Sequence, residues 1–204
     1  YDVRCTSSIS QTCFLCFTPH PDYARALEQW GRGLVRELLP YHRQAHIKPI
    51  PWQNLHMTIL YFKSLNKPER DQVWGRYIQP DLTELSKING LEWEQLSIWP
   101  NRRQPSLFCL EKSGWPAAAQ WRICREEDPV IAQGDTRHLL AYRPHLTFLR
   151  FRSSWKNQRL RLPPDFTLPP LPADLQIARF SGAAFFISDV SPEKPFYTRE
   201  REIN

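Results

Sequence analysis

Two short segments of this 204-residue chain repeat one pattern of reactive side chains, His56-Met57-Thr58 and His145-Leu146-Thr147. Each sets an imidazole two residues before a hydroxyl. On a β-strand residues i and i+2 share a face, so the His and Thr of each segment project together. Met57, Ile59, Leu146 and Phe148, all apolar, then turn to the other face. Each segment can pack a core with one side and offer His plus Thr on the other. Where two such strands meet across an axis, two imidazoles and two hydroxyls converge on one cleft. That set suits phosphodiester hydrolysis without a metal. One imidazole takes a proton from the attacking water and the other protonates the leaving alkoxide; both roles are accessible near neutral pH because imidazole titrates at about 6.5. The Thr hydroxyls donate to the phosphoryl oxygens, where charge builds in the transition state.

A lone His-x-Thr is more often a hydrogen-bonded structural histidine than a catalytic one. Repetition reverses that preference. Laid over each other, residues 55–62 and 144–151 coincide at His, Thr and the final Phe, with apolar residues between; the offset is 145 − 56 = 89 residues, close to half the chain. Two copies are too few for a solenoid and suit two halves related by a pseudo-two-fold axis.

The elements that must position these segments are legible in outline. A short apolar run over 12–17 reads as a buried strand. Residues 21–39 carry apolar positions at helical spacing and are stopped by Pro40. A polar, basic loop with His42, Arg43, His46 and Lys48 follows. Strands are expected over 55–62, 91–99, 106–110 and 144–151, and helices over 67–79 and 116–127. Residues 162–172 form a Pro-rich loop, stiff rather than a docking ligand. One or two strands lie within 175–190, a turn at 192–194, and a last strand over 196–202. No Gly-rich loop follows a strand, and only seven Gly occur, so a dinucleotide fold is not indicated. The order implies an α+β chain with mainly antiparallel sheets.

Composition is that of a globular protein, with 41% hydrophobic and 24% charged residues. The 19 Pro imply many stiff connections. A formal charge of +6 and a pI near 9.2 favour anionic partners such as nucleotides or nucleic acid. No apolar run is long enough to span a membrane, and residues 1–12 lack the apolar stretch of a signal peptide. Five Cys without regular spacing point to a reducing, cytoplasmic compartment. Cys13-x-x-Cys16 lies inside an apolar strand and reads as a pair of core thiols, and His42-x-x-x-His46 as a solvated loop rather than a ligand pair. Arg102-Arg103 is either a turn or a phosphate contact.

The doubled motif resembles that of the two-histidine (2H) phosphoesterase superfamily. Within it the likeness is to the bacterial and archaeal RNA 2′,3′-cyclic phosphodiesterases first named 2′-5′ RNA ligases, the LigT-like family. The family pattern is Asn-Leu-His-Φ-Thr-Leu and then Pro-His-Φ-Thr-Leu-x-Arg, with Φ apolar. The chain has Asn54-Leu55-His56-Met57-Thr58-Ile59 and Pro144-His145-Leu146-Thr147-Phe148-Leu149-Arg150. The resemblance covers most of the chain and implies an α+β bilobal fold, two antiparallel sheets related by a pseudo-two-fold axis with helices outside. Residues 1–204 would form one domain of two pseudo-repeats. It implies His56 and His145 as the acid–base pair, with His56 protonating the leaving O3′ and His145 activating water to leave a 2′-phosphate; the reverse reaction would join RNA ends through a 2′-5′ bond. Thr58 and Thr147 become phosphate ligands and Arg150 a phosphate or substrate contact. Strand parity turns Arg150 away from Thr147 unless a strand end or bulge intervenes. Tyr142 and Arg143 are further cleft candidates. Phe14 and Tyr61 match family aromatics that either stack on a base or pack in the core.

The expected partners are RNA ends or nucleotides bearing a cyclic phosphate, with no cofactor, no metal, no membrane and no obligate protein partner, in a monomer. Other substrates that keep the mechanism are 2′-5′ oligoadenylate, a cyclic nucleotide signal and ADP-ribose cyclic phosphate. A non-catalytic RNA- or nucleotide-binding module is the reading from another class. The chain departs from the family after the first motif, where Lys63-Ser64 stands at a usual Gly, and residues 125–140 do not match the family pattern.

Overall fold

The structure, a computed structural model, describes residues 11–41, 46–62, 64–81, 85, 87–100, 105–113, 143–152, 162–191 and 194–203. The helix expected over 116–127, and His42, Arg102, Arg103 and Tyr142, lie outside the described residues.

Strand β1 (Thr12–Pro19) is followed by helix α1 (Pro21–Leu38). The helix begins with Pro21 in its first turn, where the missing N–H costs nothing. His20 caps it by accepting from the Asp22 N–H at 3.4 Å, and Tyr23, Leu27, Leu34 and Leu38 form its buried stripe. Next come β2 (His46–Pro49), a 3-10 turn (Trp52–Asn54) and β3 (Met57–Tyr61). Helix α2 (Lys67–Val73) opens with a reciprocal cap between Asn66 and Glu69 and continues as a π-helical turn, Trp74–Ile78. The remaining strands are β4 (Gly90–Glu92), β5 (Gln95–Trp99), β6 (Leu107–Glu111), β7 (His145–Arg152), β8 (Ile177–Ser191) and β9 (Lys194–Ile203). Residues 162–172 contain no helix or strand, as their prolines predict.

All strand pairings are antiparallel, in the order β4-β8-β1-β3-β7-β6-β5, with β2 also on β7 and β9 on β8. The two halves of this sheet join at one residue pair, Met57↔Leu146, the central residues of the two His-x-Thr motifs. The expected pair of sheets is therefore a pair of half-sheets meeting at the motifs.

Two expectations change. The strand expected over 91–99 is split between the half-sheets. The Trp93 N–H donates to the Gln176 carbonyl beside β8, while the Glu94 N–H donates to the Glu111 carbonyl of β6, each at 2.9 Å. Trp93 is buried there with its indole N–H on the Tyr23 hydroxyl at 2.8 Å. The polar loop expected around His46 and Lys48 is in part strand. β7 runs on past β3, and β2 pairs with that exposed edge from His46↔Arg152 to Pro49↔Leu149, satisfying backbone groups that would otherwise lack partners.

One face of the sheet carries the main core. Leu15, Phe17, Met57, Ile59, Leu60, Phe108, Leu110, Leu146, Phe148, Leu149 and Phe185 form it together with the apolar stripe of α1. A small second cluster, Phe14, Cys16, Ala184 and Phe186, lies apart from it. Cys13 and Cys16 are both buried, as core thiols should be. No helix among the described residues is long and apolar enough to cross a membrane.

Candidate active site

The Met57↔Leu146 pairing decides how the motifs face each other. Continuing this antiparallel register one place each way sets His56 across from Thr147 and Thr58 across from His145. Met57 and Leu146 are fully buried in the core, so His56, Thr58, His145 and Thr147 share the opposite face. Parity thus brings together the four residues the sequence nominated.

Each imidazole is held by the carbonyl two residues before it. His56 Nδ1 lies 2.7 Å from the Asn54 oxygen and His145 Nδ1 lies 3.1 Å from the Arg143 oxygen. A carbonyl only accepts, so Nδ1 carries the hydrogen in both rings and each neutral ring keeps its lone pair on Nε2. The Asn54 carbonyl belongs to the 3-10 turn, which α1 fixes from below. The Trp52 N–H donates to Glu28 Oε2 at 3.0 Å, and the Arg25 guanidinium lies 4.5 Å from the centre of the Trp52 ring.

Aromatic rings pack against both imidazoles. Phe14 and Phe186 lie 4.8 and 5.9 Å from His56, centre to centre, and Trp99 lies 4.7 Å from His145. Half-buried His56 is pushed down to about 4 by desolvation first, against the opposing effect of its bond to Asn54, with repulsion from Arg150 and His145 adding to the fall. It is therefore neutral near pH 7.

Arg150 reaches this site through a β-bulge. Opposite β6 the register runs Phe108↔Leu149 and then Cys109↔Thr147, leaving Phe148 as the extra residue. Phe148 and Leu149 consequently both face the core, and Arg150 returns to the face of Thr147. The first motif has the same device. Opposite β1 the register runs Leu15↔Leu60 and then Cys16↔Thr58, skipping Ile59, so Ile59 and Leu60 both face the core and Tyr61 returns to the face of Thr58. Tyr61 and Arg150 are equivalent positions of the two copies. The Thr58 hydroxyl lies 3.4 Å from that of Tyr61.

The other nominated residues divide. Tyr61 is 39% exposed and keeps surface for a ligand, whereas Phe14 is 1% exposed and packs under His56 and Tyr61. Arg143 is exposed, and its carbonyl rather than its side chain meets His145. The sequence reading missed Trp99, Phe186, Lys48 and Glu111. Lys48 is exposed and pairs in register with Arg150. Glu111 is buried and pairs in register with His145. Beside Glu111, burial and that carboxylate push the Cys109 thiol far up. Local pattern could not reveal these four, because cross-strand register brings them in. Among the described residues no group of three or more His, Cys, Asp or Glu is placed to hold a metal ion.

Two antiparallel half-sheets joined at paired His-x-Thr motifs, with helices on the core face, define an α+β bilobal fold of the LigT type. E. coli LigT in complex with phosphate superposes with a TM-score of 0.59 at 14% identity, covering 96% of this chain and 97% of that one. Its complex with 3′-AMP gives 0.57 at 15%, covering 95% and 96%, and a crystal structure described as a phosphoesterase gives 0.58 at 15%, covering 94% and 96%. No protein-family model and no curated protein sequence matches the chain. The shared property is the fold.

Proposed function

We propose that this chain is a metal-independent phosphodiesterase of the two-histidine type that opens 2′,3′-cyclic phosphates at RNA ends or on nucleotides. The observation that carries this reading is the direct pairing of the two motifs, which sets both His and both Thr on one face of the sheet, each ring with its Nδ1 at a backbone carbonyl. Each half would be a pseudo-repeat of one domain, contributing one His, one Thr and one residue after a bulge.

In the reaction one Nε2 accepts a proton from water as its oxygen bonds to phosphorus. The other Nε2–H protonates the departing ribose oxygen. Thr58 and Thr147 donate to the non-bridging oxygens, and Arg150 balances their charge. Tyr61 offers an exposed ring on which a base can stack. Phe14 acts through His56 by closing the ring off from water. Binding of phosphate and 3′-AMP by LigT supports a nucleotide phosphate as the ligand class. Related substrates such as 2′-5′ oligoadenylate would use the same groups.

The test is digestion of 2′,3′-cyclic AMP in excess EDTA, with 31P NMR of the product. The expected outcome is full activity and a single 2′-monophosphate. No turnover of this substrate, alongside turnover of 2′-5′ oligoadenylate, would replace the substrate and leave the mechanism. Turnover of neither would overturn the reading.

A further inference from the structure

One row of four side chains crosses the second half-sheet beside the catalytic centre. In register, Trp99 of β5 pairs with Leu107 of β6, Leu107 with Arg150 of β7, and Arg150 with Lys48 of β2. All four lie on the face of the two motifs. Their sequence neighbours Phe108, Leu149 and Ile47 are core residues and Ile98 packs against the core, and successive residues of a strand point to opposite faces. The Trp99 ring bears this out, standing 4.7 Å from the His145 ring, centre to centre. Neighbouring strands lie about 4.8 Å apart, so the row runs for roughly 14 Å from β5 to β2.

The matching row of the first half-sheet is closed. There Phe186 pairs with Phe14, and Phe14 with Tyr61. Phe14 and Phe186 are each 1% exposed and form the small second cluster with Cys16 and Ala184. In the second half Trp99, Leu107 and Arg150 are half-buried and Lys48 is exposed. The site face is therefore open along the second row. Its chemistry changes from end to end: an aromatic ring, an aliphatic floor, then two cations. Like charges directly opposite each other on neighbouring strands repel, and an anion seated over Arg150 and Lys48 relieves that repulsion. An aromatic face beside cations suits single-stranded nucleic acid, the ring stacking a base and the cations following the backbone. The charge of Arg150 acts on His56, which puts Arg150 at the catalytic end of the cation pair, with Lys48 one strand further out.

We propose that Trp99 and Lys48 are the two ends of a terminal-nucleotide site: the base of the last nucleotide stacks on Trp99, its 2′,3′-phosphate sits at the motifs and Arg150, and the phosphate on its 5′ side meets Lys48. This rests on the phosphodiesterase reading and narrows its substrate class to the 3′ end of an RNA strand, since a free nucleoside cyclic phosphate fills only part of the row. The layout follows the connectivity of a nucleotide. The 2′ and 3′ oxygens share one edge of the ribose, and C1′ and C4′, which carry the base and the 5′ carbon, flank that edge. A ribose with this edge toward the catalytic centre sends its base and its 5′-phosphate in opposite directions, as the two ends of the row require. Leu107, between Trp99 and Arg150, is the apolar floor under the sugar.

The experiment compares kcat/KM for ribose 2,3-cyclic phosphate, 2′,3′-cyclic AMP and 5′-phosphoadenosine 2′,3′-cyclic phosphate in wild type, Trp99→Ala, Trp99→Phe, Tyr61→Ala and Lys48→Ala. Wild type should prefer 2′,3′-cyclic AMP to the baseless sugar by at least about fivefold, the effect of one stacked base. It should also prefer the 5′-phosphorylated nucleotide to 2′,3′-cyclic AMP, less so as salt is raised. Absence of either preference overturns the proposal, and this part needs no variant to fold. Trp99→Ala should erase the preference for the base, and Trp99→Phe should keep it within about twofold. A Trp99 that only supports His145 would slow all three substrates alike and leave the preference at its wild-type value, which overturns the proposal. Loss of the base preference in Tyr61→Ala but not in Trp99→Ala overturns it too, by moving the base to the first half-sheet. Lys48→Ala should erase the preference for the 5′-phosphate, and an unchanged preference overturns the proposal. The same ratios can be read from equilibrium binding of ribose 2-phosphate, adenosine 2′-monophosphate and adenosine 2′,5′-bisphosphate. Binding ratios that respond as expected in a protein without turnover would preserve the row and refute the phosphodiesterase reading instead.

Discussion

His56 and His145 have the same backbone anchor but different surroundings. Desolvation places His56 near 4, against 6.5 in an unfolded chain. Between those values the unfolded chain binds a proton that the folded one refuses, so this contribution to stability is complete above about pH 6.5 and is lost as pH falls toward 4. Because the ring is only half-buried, the loss is expected to be about 1–2 kcal/mol between pH 7 and 4.5. Urea denaturation at the two pH values measures it, and His56→Gln should lack that share of the pH dependence. At this scale the sequence was informative. Parity alone put two His and two Thr on one face, because alternation needs no knowledge of partners. Arg150 was nominated by the resemblance and not by parity, because counting by twos cannot register an inserted residue. The signal was there in Ile59-Leu60 and Phe148-Leu149, two apolar residues in succession after each Thr, where strict alternation calls for one.

At the scale of elements, α1 supports both halves of the site. Its Glu28 and Arg25 hold the turn that presents the Asn54 carbonyl to His56. Its Gly31 faces the bulge of β7, where a Cβ would come within 3.3 Å of Phe148 Cδ2 and 3.4 Å of Leu149 Cδ2. Ala at this position needs a shift of a few tenths of an ångström and also gains helix propensity, so its effect should be small. Gly31→Leu has no room, and should destabilise by about 1–3 kcal/mol in thermal unfolding and weaken substrate binding by displacing the bulge under Arg150. An unchanged melting temperature would contradict this packing. Helix positions were readable because 3.6-residue periodicity is local. The division of 91–99 between half-sheets was not, since the Gln176 and Glu111 carbonyls that divide it are distant in sequence. Short β2 was equally hidden, being a strand only because β7 has an edge to offer.

Across the whole molecule the net charge is +6, and two of its cations, Lys48 and Arg150, stand side by side on adjoining strands. The pair is in register past the second motif; on the proposed reading a longer substrate would run over it. Lys48 should then contact the phosphate of a neighbouring nucleotide and not the reacting one. For an RNA oligonucleotide ending in a cyclic phosphate, Lys48→Ala should reduce the dependence of log KM on log salt by about 0.7, the value for one lost phosphate contact on a single strand. For 2′,3′-cyclic AMP the salt dependence should not change. Equal effects on both substrates would place Lys48 at the reacting phosphate.

The two-fold correspondence of strands, bulges and thiols accompanies the two His-x-Thr motifs, one in each half of the sheet. The most direct test is the rate of 2′,3′-cyclic AMP hydrolysis in excess EDTA by wild type, His56→Ala and His145→Ala, each confirmed folded by circular dichroism. Robust wild-type turnover is expected, with each single variant slowed by at least about a thousandfold. A variant that keeps near-wild-type activity, or wild-type activity that vanishes in EDTA, would contradict a reaction carried by two paired histidines.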